Sequence, residues 1–395
     1  MTTAGDDGPL AGVSVVAVEQ AISMPFCTFI LAELGADVIK IERPGAGDVV
    51  RGWDDVVRGL SSGYVWVNAN KRALTVDLRQ ESGQRIVQRL AAQADVFVEN
   101  FAPGVGDRLG IGAGTLRRHN PRLIYCSLSG YGQDGPFRDV KAYDLLVQGE
   151  SGILLTNGYP EAPAKVGLPI TDLIAGATAA IGILAALVER ARTGRGTYLD
   201  VAMLDSTAPW LGYFPHRYWH RGEEPPRTGM RHQYICPYGP YRCADGAYVN
   251  LVVASDAHWR AFCERVVEQP AWLDDPRFAT MESRRRHRDL VEAAVEEVIA
   301  SRPSGEWLSR LDRAGLPYGR VRTMASVVEH PQLRHRHAFV QADSPVGPVP
   351  VARFPLSSPH RRRQVPGLGQ HTDQILSELG FSAEEIERLR ERRVV

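Results

Sequence analysis

Asp172 stands directly before a long apolar run, Leu173 to Val188. An aspartate in that position ordinarily caps a helix, because its carboxylate accepts from the orphan backbone N–H groups of the first turn. The other chemically able groups are scattered. The arginine-rich runs Arg284 to His287 and His360 to Arg363 could hold a polyanion, but runs this short read as solvated surface. Cys27, Cys126, Cys236, Cys243 and Cys263 are odd in number and contain no CxxC pair, so neither a disulfide framework nor a zinc site is expected and a reducing cytosol fits. No GxGxxG follows a strand, since Gly104-Val105-Gly106-Asp107-Arg108-Leu109-Gly110 has one residue too many between its last two glycines. GxxxxGK[ST], HExxH and GxSxG are also missing, which removes P-loop, zincin and α/β-hydrolase chemistry.

The elements that must position these groups follow from composition and periodicity. The chain of 395 residues, 44% hydrophobic, exceeds what one core usually serves, so two lobes are expected. Lys plus Arg equals Asp plus Glu at 46 each, which leaves no excess positive field for nucleic acid or an anionic membrane; any anion must be caught locally. The start, MTTAGDDGPL, lacks a secretion signal, and the run Leu173 to Val188 falls short of a bilayer span and reads as a buried core helix.

Over the first 130 or so residues, short β-branched runs alternate with amphipathic segments, the pattern of parallel strands joined by helical crossovers. Val13 to Val18, Val38 to Glu42, Val96 to Val98 and Leu123 to Leu128 read as strands, with helices at Pro25 to Leu34 and Gln80 to Ala92. This is a doubly wound, Rossmann-like α/β lobe, whose ligands belong in the loops at the carboxyl ends of strands. Trp210 to Arg231 reads as a long connection. A hairpin follows, Tyr238 to Cys243 and Tyr248 to Val253 around Asp245-Gly246, with helices at His258 to Glu268, Leu290 to Ala300 and Glu306 to Ala314 completing a smaller α+β lobe. The tail, Thr372 to Arg392, is again helical. The expected division is 1–215, 216–335 and a C-terminal segment 336–395 that returns to the large lobe.

Several segments together resemble the class III CoA-transferases, the family of formyl-CoA, carnitine-CoA and succinyl-CoA:glutarate transferases and of α-methylacyl-CoA racemase. They are LAELGADVIKIERPGAGD, NKRALTVDLR, ADVFVENFAPG, NPRLIYCSLSGYGQDGP, GLPITDLIAG and GLGQHTDQIL, in the family's order along nearly the whole chain. The resemblance implies that Asp172 is the catalytic aspartate: a carboxylate can attack a thioester to form an anhydride, which the CoA thiolate converts to an aspartyl-CoA thioester. A helix N-terminus beside it would help keep the carboxylate ionised. It also implies coenzyme A as acyl-CoA substrate and product, with no metal. CoA contacts fall on Gln20, Ala21, Arg43, Val76, Arg79, Asn100, Phe101, Arg108, Tyr131 and Met203. The partners implied are acyl-CoA, carboxylic acids and a second copy in an interlaced homodimer.

Where the racemases carry an acid/base histidine, this chain has Tyr143, which favours transfer over racemisation. A racemase or a non-catalytic CoA-binding protein are the alternative readings. The glycine-rich loop of some transferases is absent between Arg231 and Val253. His232 in that stretch is a candidate contact for the acceptor carboxylate, and a residue packing against aromatic neighbours is its plainer reading.

Overall fold

The computed structural model describes residues 8–395. The chain divides into two compact units. One runs through Ile153, resumes at Val166–Tyr213 and ends with Pro331–Val395; the other comprises Leu154–Lys165 and Phe214–His330.

The first unit is built on a six-stranded parallel sheet: β1 (Ser14–Val18), β2 (Asp37–Glu42), β3 (Lys71–Thr75), β4 (Val96–Glu99), β5 (Ile124–Ser129) and β6 (Tyr198–Ala202), in the spatial order β3-β2-β1-β4-β5-β6. Valine and isoleucine dominate β1, β2 and β4, as strands covered on both faces require. Helix α1 (Ser23–Glu33) follows β1 and ends at Gly35, whose φ of 113° is open to glycine alone. Helix α2 (Glu81–Gln93) lays Ile86, Val87 and Leu90 on the sheet. The chain starts in mid-sheet, walks outward to β3 and returns to pair β4 with β1, so the winding reverses between the ends of β1 and β4. That reversal leaves a crevice.

Strand β3 was not anticipated, because its sequence KRALT opens with two cations. Both are spoken for: Lys71 is buried against Glu19, and Arg72 pairs with Asp37 and Glu378. Helices α3 (Asp144–Glu150) and α4 (Ile170–Thr193) precede β6. α4 is longer than its apolar run and is core on one face only. Ile174, Ala179 and Ile183 are buried, whereas Ile181 and Val188 are 67% and 66% exposed, which limits its reading as a buried core helix to one face.

The tail forms two helices rather than one, α5 (Thr372–Glu378) and α6 (Ala383–Glu391), separated at Gly380 with φ 84°. It is clasped to α1 by a buried fork: Arg363 Nε donates to Glu33 Oε1 at 3.0 Å and Nη2 to Oε2 at 3.1 Å, while Ser357 Oγ and Asn70 Nδ2 donate to the same carboxylate. Arg363 is therefore not the solvated residue its run suggests.

The second unit pairs β7 (Tyr238–Arg242) and β8 (Tyr248–Val252) as the expected antiparallel hairpin, with β9 (Tyr318–Arg320) added on the far side of β8. Tyr241, Val249, Leu251, Trp259 and Trp307 form its core. Arg284, read as surface, is also fully buried: it donates to Cys236 O, Phe278 O and Asp256 Oδ1 and lies 4.8 Å from the Trp259 ring. The presumed long connection contains a helix, Phe214–Arg221, and the segment after His258 widens into a π-helical turn at Phe262–Val266.

Candidate active site

The loop that leaves β1 is fixed by polar contacts on both sides. Gln20 and Asn100 exchange hydrogen bonds across the β1–β4 reversal: Gln20 N–H donates to Asn100 Oδ1 at 3.0 Å and Asn100 Nδ2 to Gln20 O at 2.9 Å. Ala21 holds a left-handed φ of 60°, and its N–H donates to Asp48 Oδ1 at 3.0 Å. Asp48 accepts from Lys40 Nζ at 2.8 Å, and Glu19 accepts from Lys71 Nζ at 2.7 Å, all four side chains being buried. Burial holds the Lys71 ammonium down to about 8 against the pull of Glu19. A strained alanine therefore persists because buried charges hold it.

Above this floor lies a cleft of about 1000 Å³ at the carboxyl ends of β1, β2 and β3. Of the expected CoA contacts, Gln20, Arg43, Val76, Arg79 and Phe101 line it. Asn100 and Ala21 adjoin through the bonds just described. Arg79 is already bound to Asp77, Nε to Oδ1 at 2.9 Å and Nη2 to Oδ2 at 3.0 Å, whereas Arg43 is exposed and its guanidinium makes no hydrogen bond or ion pair among the described residues.

Asp172 lies in the first turn of α4, half-buried, with the Ser23 hydroxyl near enough to favour its ionised form. Ser23 opens α1 just beyond Ala21, so the carboxyl group sits beside the segment that enters the cleft. Gly176 secures this approach, since a Cβ there would fall 2.4 Å from Ser23 O. Capping belongs to another residue. Pro169 is the N-cap position of α4, and Asp144 at the start of α3 accepts from Thr171 N–H at 2.9 Å and from Thr171 Oγ1 at 2.8 Å. Asp172 is thereby released from the cap role that its place in sequence suggested. Burial, reinforced by the nearby Asp144 charge, pushes its carboxyl up to about 7, with the Ser23 hydroxyl opposing. The help expected from the helix N-terminus is thus outweighed by desolvation and a like charge, and the Thr171 N–H of that terminus is claimed by Asp144.

The model for "CoA-transferase family III" matches residues 10–372. The chain belongs to that family. It is 35% identical to acetyl-CoA:oxalate CoA-transferase of Acetobacter aceti, over 97% of this chain and 98% of the relative. It is 33% identical to human succinyl-CoA:glutarate CoA-transferase, over 94% and 86%. A solved CAIB/BAIF family protein from Brucella suis superposes with a TM-score of 0.84 at 34% identity, covering 94% of this chain and all (100%) of that one.

Other expected residues of this family III chain are placed less directly. Arg108, Tyr131 and Met203 are not in the cleft lining. Arg108 is exposed at the end of a short helix, Tyr131 packs on Phe137 with ring centroids 5.4 Å apart, and Met203 is buried in the core after β6. Tyr143 is the N-cap residue of α3 and 74% exposed, so it does not pack as a structural residue would. His232 Nδ1 accepts from both Tyr234 N–H and Ile235 N–H at 3.1 Å, and burial and Arg288 lower its pKa. A neutral ring with one free Nε2–H remains, a hydrogen-bond donor rather than a cation for a carboxylate. Asp144 and Ser23 were missed in sequence; Asp144 follows Tyr143 directly, but nothing local reveals that it reaches α4. Among the described residues no three His, Cys, Asp or Glu side chains converge as a metal site.

The pairing of Asp144 with Asp172 has a pH consequence. If the ionised carboxylate is the reacting form, kcat/KM rises with pH through about 7 and levels above it. Asp144→Asn keeps an acceptor for Thr171 but removes the repelling charge, so this limb moves to lower pH. A pH–rate profile measures it, and an unmoved midpoint would show that Asp144 does not tune the site.

Proposed function

We propose that this family III CoA-transferase moves CoA from an acyl-CoA donor to a short-chain, dicarboxylic acid through covalent intermediates on Asp172. The observation that carries the reading is a half-buried carboxyl group freed from capping, near Ser23 at the start of α1, three residues after Gln20 in the cleft lining. In the proposed cycle the Asp172 carboxylate attacks the thioester carbonyl, forming an acyl-aspartyl anhydride and expelling the CoA thiolate. The thiolate returns to the aspartyl carbonyl and releases the donor acid, leaving aspartyl-CoA. The acceptor carboxylate then attacks this thioester, and the thiolate displaced attacks the acceptor's carbonyl in the new anhydride, giving the new acyl-CoA and free Asp172.

A carboxyl group titrating near neutrality serves both as attacking anion and as a moderate leaving group. The dicarboxylic class is supported by the oxalate and glutarate in the names of the two relatives. Incubation of acetyl- or succinyl-CoA with oxalate, succinate and glutarate, read by mass spectrometry, should yield the exchanged thioester with ping-pong kinetics. Hydrolysis alone, or exchange of an α-proton in deuterated water without transfer, would sink the proposal. We also propose that the chain works as a homodimer, which the exposed Ile181 and Val188 on α4 support; light scattering showing a monomer would refute this.

A further inference from the structure

We infer that Arg392 and Arg393, at the end of α6, bind phosphate groups of the acyl-CoA from the cleft wall. The inference rests on the reading that acyl-CoA occupies this cleft. Four acidic residues line the cavity, and each is matched: Glu19 by Lys71, Asp48 by Lys40, Glu42 by Arg51 and Asp77 by Arg79. Arg43, Arg392 and Arg393 then remain as lining cations, all exposed and without an ion pair or hydrogen bond from their guanidinium groups among the described residues. CoA carries about three to four negative charges at its pyrophosphate and 3′-phosphate. Three forked donors around one cavity answer that charge.

The backbone adds an independent observation. α6 ends in a Schellman turn, in which Arg393 N–H donates to Arg390 O at 2.8 Å and Val394 N–H to Leu389 O at 2.9 Å. Arg393 sits at the left-handed position with φ 54°. Glycine fills the same position at Gly35, Gly110, Gly315 and Gly380, and among the described residues only the turn at His337 also keeps a side chain there. A long cation at a site that favours glycine is a local cost with no structural return, since its guanidinium touches no partner.

The turn is also fastened where it is needed. Val394 is buried, Asp77 N–H donates to Val394 O at 2.7 Å, and Gln80 Nε2 donates to the carbonyls of Arg392 and Arg393 at 3.4 and 3.2 Å. The loop that carries Arg79 thus holds the two arginines at the cavity edge.

The test exploits the left-handed position. Arg393→Gly removes the cation while easing the backbone, so the double variant Arg392→Gln/Arg393→Gly should keep or raise the Tm of the full chain. Its calorimetric Kd for CoA should weaken roughly 10-fold per arginine, about 100-fold together. Binding of 3′-dephospho-CoA separates the two phosphate sources: a penalty that vanishes assigns the arginines to the 3′-phosphate, and one that persists assigns them to the pyrophosphate. Arg43→Ala serves as the reference for the cleft. If Arg43→Ala weakens CoA and the double variant binds within twofold of wild type, the inference is overturned alone. If neither variant shifts CoA affinity, the cleft is not the CoA site and both readings fall.

Discussion

Asp172→Asn should fold normally and lose CoA transfer by at least about three orders of magnitude, because an amide cannot form the anhydride. The substitution preserves size and a hydrogen-bond acceptor beside Ser23. It leaves the α4 cap intact, since Asp144 supplies it. Stability should even improve at alkaline pH. The folded carboxyl holds its proton up to about 7, while the unfolded one ionises near 3.9, so wild-type stability falls as pH rises across that window and the cost is complete above it. At pH 8 the Asn variant should therefore melt at or above the wild-type temperature, and near pH 4 the two should coincide. Trapping gives a separate readout: wild type treated with an acyl-CoA and then hydroxylamine should carry the modification on the peptide containing Asp172. Transfer by the Asn variant at near wild-type rate, or a label on another peptide, would end the assignment.

Arg363→Met should destabilise the chain by about 3–5 kcal/mol, the cost of leaving a buried carboxylate without its counter-ion. The Glu33 and Arg363 side chains are 0% and 1% exposed, and the pair joins α1 to a segment more than 300 residues later through two parallel bonds. Chemical denaturation measures the loss. The double variant Glu33→Gln/Arg363→Met should recover a large part of it, because no unpaired charge is then buried. A loss below about 1 kcal/mol in the single variant, within the range of an exposed pair, would show that the clasp is dispensable.

Much of the sheet was legible because its strands obey local rules. Valine and isoleucine runs bounded by turns marked β1, β2 and β4, the apolar stretch after the Asn120-Pro121 turn marked β5, and Asp245-Gly246 marked the small hairpin. What escaped depended on distant partners. β3 begins with Lys71 and Arg72, which look like surface residues until Glu19 and Asp37 are brought to them. Arg363 and Arg284 were misjudged for the same reason, since a cation's burial is decided by a carboxylate or carbonyl far along the chain. At the site, the motif around Asp172 was recognisable, but its freedom from capping was not. That follows from Asp144, 27 residues away, reaching Thr171.

The buried charges beneath the cleft constrain how this scaffold can change. Glu19, Lys40, Asp48 and Lys71 come from four separate places in the chain yet form one buried cluster, and Asp48 also holds Ala21 in its strained turn. Losing any one member strands a charge, so single substitutions there are penalised while compensated pairs are tolerated. The guanidinium groups of Arg43, Arg392 and Arg393 at the rim carry no such coupling among the described residues. Evolution of ligand preference in this chain is accordingly free at the rim and slow at the floor, where a neutral path requires two changes at once.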